Sequence, residues 1–143
     1  MLKGIPKIIG PDLMKILLEM GHGDEIVIAD GNFPAASHAT KLIRYDGHNV
    51  TELLEAILPF FPLDTYSSYS ATLMAVDEHD PVKPSIWDEY KSLIRKSGQP
   101  FTSFEMVNRF SFYERAKQAY AIVATSEKAL YANIILKKGV VAD

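Results

Sequence analysis

The segment EIVIAD, residues 25–30, is a short apolar run with the composition of a strand. Further strands are expected along the chain: KLIRYDG at 41–47, which alternates and ends in a turn, ATLMAVD at 71–77, the short SFEMVNR at 103–109, YAIVATS at 120–126 and NIILKKG at 133–139. Segments with helical periodicity lie between them. Pro11 and Asp12 open one, with Leu13, Ile16, Leu17 and Met20 at helical spacing, and Gly21 is expected to end it in the left-handed conformation. Asn49 or Thr51 can cap a second, whose Leu53, Leu54, Ile57 and Leu58 face inward before Pro59 and Pro62. PSIWDEYKSLIRKSG, residues 84–98, reads as a third with a glycine stop, and SFYERAKQA, residues 111–119, as a fourth. GNFP, residues 31–34, reads as a loop. Helices alternating with short, very apolar strands argue for an α/β fold. The expected architecture is a three-layer α/β/α sandwich around a largely parallel sheet of about six strands. It is Rossmann-like but without a dinucleotide loop.

The 143 residues predict one domain, 1–143, long enough to bury a core without staples. The absence of cysteine excludes disulfides, thiolate metal sites and cysteine nucleophiles, and fits a reducing compartment. Pro6, Pro11 and Asp12 interrupt the N-terminal apolar run, so no signal peptide is expected, and no apolar stretch reaches the roughly 18 residues of a membrane span. A net charge of −3 gives no footprint for nucleic acid. These features describe a soluble, cytoplasmic protein with no nucleic-acid or membrane partner.

EMGHGDEIVIAD places a lone histidine, His22, between two glycines ahead of the first strand. A phosphate cradle would run strand, glycine turn, helix; here the glycines follow a helix and precede a strand, and the third glycine of a dinucleotide loop is missing. His22, His38, His48 and His79 form no HExxH-like pair, so no metal site is expected, and the last three read as surface residues. Proton transfer suits a histidine near a carboxylate. Asp30 closes the following strand, where ligands of α/β sheets tend to bind. An extended strand at about 3.3 Å per residue puts the two roughly 17 Å apart. Either the loop folds back, or a site using both combines two subunits. The alternative role of His22 is to bond the last carbonyls of the preceding helix.

Arg109, in NRFSFYERA, follows a strand at a helix entrance. It can grip hydroxyl groups with its fork of donors or form an ordinary salt bridge. The stretch YAN, residues 131–133, joins an aromatic ring to a carboxamide, a pairing that suits a sugar and equally serves a strand-entry turn. DEHDP, from residue 77, reads as a polar loop, Glu114 and Arg115 as solvated or interface charges, and Trp87, Tyr90 and Leu93 as packing.

Taken in order, EMGHGDEIVIAD, FP, NRFSFYERA and YANIILKKGV resemble the L-fucose mutarotase family, a relative of the bacterial D-ribose pyranases, over nearly the whole chain. The NRFSFYERA segment carries the resemblance to the fucose branch. The resemblance implies an isomerase that interconverts the α and β anomers of a free sugar, with no metal or organic cofactor. It implies His22 as proton donor and Asp30, Arg109, Tyr131, Ala132 and Asn133 as the binding residues for a monosaccharide, L-fucose. Alanine stands at 132 where glycine is common. It also implies a homo-oligomer, a decameric ring with sites near subunit contacts. The general base stays open among Tyr113, Tyr120, Asp30 and water. A ribose-type pyranase and a non-catalytic sugar-binding protein remain the competing expectations.

Overall fold

Val27 and Ala29 point to one face of the sheet, Ile26 and Ile28 to the other, and all four are fully buried. A strand can do this only with helices on both faces. In the computed structural model, which describes residues 1–142, these residues belong to β1 (Glu25–Ala29). The other strands are β2 (Leu42–Tyr45), β3 (Ala71–Met74), β4 (Glu105–Val107), β5 (Ala121–Thr125) and β6 (Ile134–Lys137). They form one six-stranded sheet in the order β2-β5-β1-β6-β3-β4. The pairs β2–β5, β5–β1 and β3–β4 are parallel, whereas β6 runs antiparallel to both its neighbours. The sheet is therefore largely parallel with one reversed strand, an α/β sandwich as expected. Of the expected domain only Asp143 lies outside the described residues.

Three helices cover one face: α1 (Pro11–Glu19), α3 (Val50–Ile57) and α4 (Ile86–Lys96). Leu13, Leu53, Leu54, Ile57, Tyr90 and Ile94 pack from them onto Ile26, Ile28, Val123 and Ile134. The opposite face carries α2 (Ala35–His38) and α5 (Arg109–Gln118), whose Ala35, Phe112 and Ala116 meet Val27, Ala29, Ile122 and Ile135. Asn49 caps α3 in a capping box: its side chain accepts from the N–H of Glu52, and the Glu52 carboxylate accepts from the N–H of Asn49. Asn108 caps α5 by accepting from the N–H of Ser111, which sets Arg109 as the first helical residue.

Three local details differ from the sequence reading. The four-residue helix α2 follows the GNFP loop, too short to leave a periodic signal. The left-handed glycine after α1 is Gly23, with φ of 89°, whereas α1 ends at Met20 in extended conformation. Arg115 is not a solvated charge; its guanidinium lies over the sheet, donating to Glu25 on β1 at 2.6 Å and to Glu105 on β4 at 2.5 Å.

Candidate functional site

Because β6 alone is reversed, the carboxyl ends of β1, β3 and β4 and the start of β6 share one edge of the sheet. Asp30 directly follows β1 and Asn133 directly precedes β6, while Asp77 and Arg109 lie within three residues of the ends of β3 and β4. Asp30 and Asn133 touch: the N–H of Asp30 donates to Asn133 Oδ1 at 2.8 Å. The Asp30 carboxylate accepts from the N–H of Asn32 at 3.0 Å and of Ala132 at 3.3 Å. Asp30 is 6% exposed, and burial raises its carboxyl above the ordinary carboxylate range. The N–H groups of Asn32, Ala132 and Phe33 oppose that rise, while the charge of Glu127 adds to it.

Tyr131 is the one described non-glycine residue with positive φ, at 55°. That backbone is held from two sides. The indole N–H of Trp87 donates to the Tyr131 carbonyl at 2.8 Å, and the hydroxyl of buried Tyr90 donates to the Ala132 carbonyl at 2.6 Å. The phenol of Tyr131 donates to Asp80 Oδ2 at 2.8 Å. Arg109 Nε lies 3.5 Å from Asp77 Oδ2 and has no hydrogen-bond partner among the described residues. The guanidinium rests over the Phe110 ring, 4.8 Å from its centroid. Tyr113, one turn along α5, packs against Phe33 and His38. This edge thus gathers a planar fork of donors, a carboxylate, a carboxamide and a phenol, the set that can satisfy several hydroxyl groups of one polyol.

His22 lies at the other edge. Its turn is built by the surrounding GHGD residues. The N–H of Gly21 donates to Asp24 Oδ2 at 2.8 Å, the N–H of Gly23 to the carbonyl of Lys138 at 2.8 Å, and the N–H of Lys138 to the carbonyl of Asp24 at 2.8 Å. The positive φ of Gly23 admits this turn without a Cβ penalty. The ring does not bond the α1 carbonyls. Instead Nε2 meets Asp64 Oδ1 at 3.0 Å, and the Tyr66 ring lies 5.0 Å from it between centroids. Asp64 is buried. Burial alone would raise its carboxyl, but the Ser67 hydroxyl, the Tyr66 N–H and His22 outweigh it and hold it well below the usual carboxylate range. The His22 side chain is 46% exposed. Tyr120, donating to Glu19, also belongs to this edge, away from Asp30.

Within one chain, then, Asp30, Arg109, Tyr131, Ala132 and Asn133 come together, and His22 does not join them. Asp64 was not singled out by the sequence, and Asp77 and Asp80 were read only as part of a polar loop. Their partners are 42, 32 and 51 residues away, beyond any local spacing. Among the described residues no three histidine or carboxylate side chains are placed to hold a metal ion, and no helix is long and apolar enough to cross a membrane.

The architecture is that of an α/β sandwich with one reversed strand and a polar, donor-and-acceptor-rich edge. The model of the RbsD / FucU transport protein family matches residues 3–141, and the chain belongs to that family. It is 49% identical to the fucose mutarotase of Danio rerio over 98% of this chain and 94% of that protein. It is 47% identical to the L-fucose mutarotase of Histophilus somni over 98% of this chain and 97% of that one. The solved fucose mutarotase of Streptococcus pneumoniae in complex with L-fucose superimposes with a TM-score of 0.94, at 56% identity, covering 99% of this chain and all of that one. Bacillus subtilis RbsD complexed with D-ribose shares the fold, with a TM-score of 0.72 at 22% identity.

Proposed function

We propose that this protein is an L-fucose mutarotase, an isomerase that interconverts the α and β anomers of the free sugar. The observation that carries the reading is the likeness, over the full chain, to a fucose mutarotase solved with L-fucose. The gathering of Asp30, Arg109, Tyr131, Ala132 and Asn133 at one sheet edge supports it.

The chemistry needs no redox partner and no covalent intermediate. Ring opening removes the proton of the anomeric hydroxyl and delivers one to the ring oxygen; rotation of the aldehyde and closure reverse both transfers. In this reading His22 protonates the ring oxygen on opening and recovers the proton on closing. Asp30 accepts from sugar hydroxyls, Arg109 and the amide of Asn133 donate to sugar oxygens, Tyr131 lines the pocket and Ala132 contributes backbone. Asp64, ionised and buried against His22, orients the imidazole through its 3.0 Å contact with Nε2. A positioned acid–base group supplies about 10²–10⁴-fold, enough for a reaction that already proceeds in water.

The placement of His22 and Asp30 at opposite sheet edges supports a site shared between subunits, in which the His22 edge of one copy faces the Asp30 edge of the next. A closed ring of ten such copies, in the cytoplasm, is the assembly we propose. Exposed Phe110, Met106, Leu130 and Tyr69, and Tyr66 beside His22, supply apolar area for such contacts.

Saturation-transfer proton NMR on equilibrated L-fucose tests the function. Faster α–β exchange with the protein, lost in His22→Gln, is the expected result. Acceleration confined to the pyranose–furanose exchange of D-ribose would move the protein to the pyranase branch. Binding without acceleration would make it a sugar-binding protein.

A further inference from the structure

The loop after β3 reaches back to two residues of the sugar edge. Asp77 approaches Arg109, and Asp80 accepts a hydrogen bond from the Tyr131 hydroxyl. Asp80 is itself fixed. The N–H of Val82 donates to its Oδ1 at 3.0 Å, and its own N–H donates to the Asp77 carbonyl at 2.9 Å, which leaves Oδ2 directed at the phenol. A phenol has one proton, and an ionised carboxylate only accepts. With that proton committed to Asp80, and the N–H of Asp77 approaching the phenol oxygen at 3.4 Å, Tyr131 has nothing left to donate.

We propose that Asp80 is a positioning residue of the sugar site: it holds the Tyr131 hydroxyl so that the phenol meets the ligand only as a hydrogen-bond acceptor, beside the donor fork of Arg109. The polarity of the edge follows. One sugar hydroxyl donates to Tyr131 and another to Asp30, and a sugar oxygen accepts from Arg109. The bond to Asp80 also raises the Tyr131 phenol above its ordinary range, which keeps it protonated. The backbone of Tyr131 is anchored separately by Trp87, so the phenol can lose its partner without the loop losing its course.

This inference rests on Tyr131 touching the sugar, as in the mutarotase reading. The test is a double-mutant cycle of Asp80→Ala and Tyr131→Phe, read both as the L-fucose exchange rate and as the L-fucose dissociation constant from NMR titration. Asp80→Ala is expected to cost about 10- to 100-fold in exchange, the size of one hydrogen bond to a charged group. In the Tyr131→Phe background it is expected to cost less than about twofold, because the phenol through which Asp80 acts is gone. Asp80→Asn, which keeps an acceptor, recovers part of the loss and replaces the alanine variant in the cycle should that variant not fold. An equal loss in both backgrounds, or no loss in either, overturns the inference. A wild-type protein that binds L-fucose without accelerating exchange fails the mutarotase reading, and the cycle on affinity then decides the role of Asp80. A protein that does neither overturns both.

Discussion

The imidazole Nε2 of His22 lies 3.0 Å from Oδ1 of Asp64, a carboxylate 42 residues downstream and almost fully buried. The pair joins the turn before β1 to the segment before β3. It is positioned by the backbone bonds of Gly23 and Asp24 to Lys138 on one side and of Asp64 to Lys137 on the other.

Asp64→Asn keeps the shape of this pair and removes its charge. The exchange rate is expected to fall about 10- to 100-fold, less than on removing the acid–base group itself. Stability responds to pH with a definite sign. A carboxyl held below its unfolded value, about 3.9 for Asp, stabilises the fold above that pH, and the contribution is lost as pH falls through the folded value. Asp64→Asn is therefore expected to be less stable than wild type at pH 7, with the gap narrowing as the pH drops below about 4. Urea midpoints at pH 7 and pH 3 measure this, and a gap that does not narrow would refute it.

Gly139 secures the same edge. A Cβ there would stand 2.6 Å from the Leu63 carbonyl oxygen and 2.9 Å from the Asp64 Cα, both backbone atoms that cannot swing aside. Its N–H also donates to the Pro62 carbonyl at 2.7 Å. Gly139→Ala must displace the segment that carries Asp64. A stability loss of about 1–3 kcal/mol is expected, together with reduced exchange activity. Chemical denaturation and the NMR assay read the two effects. A variant with native stability and activity would show that the 62–64 segment yields without cost.

Much of the fold was legible because burial on both faces of the central strands forces apolar runs, and the edge strand β2 showed through its alternation instead. Asn49 and Gly98 marked helix ends through local chemistry that depends only on neighbours; Gly98 indeed has φ of 78°. Helix α2 was not legible because four residues carry no period. The reversal of β6 was not legible either, since an apolar run such as NIILKKG carries no mark of its direction within the sheet. Within the candidate site, Asp30, Arg109 and Asn133 could be placed because each flanks a strand. Asp64 and Asp80 could not, because their partners are brought to them by topology. Arg115 looked like a surface charge at its helical spacing and became a bridge only when β1 and β4 came to flank it.

Arg115 makes a further case. Its side chain is 26% exposed and holds Glu25 and Glu105, the latter also accepting from Thr72 at 2.8 Å. Burial opposes charge on Glu105, but Arg115 and Thr72 hold its carboxyl below the ordinary range. Arg115→Leu leaves two partly buried carboxylates over the sheet with no cation between them. The expected cost is about 2 kcal/mol, less than for a fully buried pair because water reaches part of the group. That corresponds to a melting-temperature decrease of roughly 5–10 °C. The combined variant Arg115→Leu, Glu105→Leu should recover part of it, since apolar groups of similar size often replace such pairs without loss. Calorimetry on the two variants checks both, and equal melting temperatures for the double and single variants would argue against charge as the cause.

The shared-site arrangement makes the sharpest demand on function. In the proposed site, His22→Gln and Asp30→Asn are each expected to inactivate a different edge of the same chain. If every site used both residues from one subunit, mixed assemblies of the two variants would contain no intact site and stay inactive. If the His22 edge of one copy meets the Asp30 edge of the next, the mixed assembly contains contacts at which both residues are native. Random mixing of equal amounts then makes about one contact in four fully intact, by the counting of heterologous interfaces. Unfolding and refolding the two variants together is expected to restore roughly a quarter of wild-type exchange activity, while each refolded alone stays inactive. Both samples must sediment as the wild-type oligomer does. Activity no greater than the sum of the separate variants, in an assembly of native size, would place His22 and Asp30 in the same subunit's site or remove one of them from it.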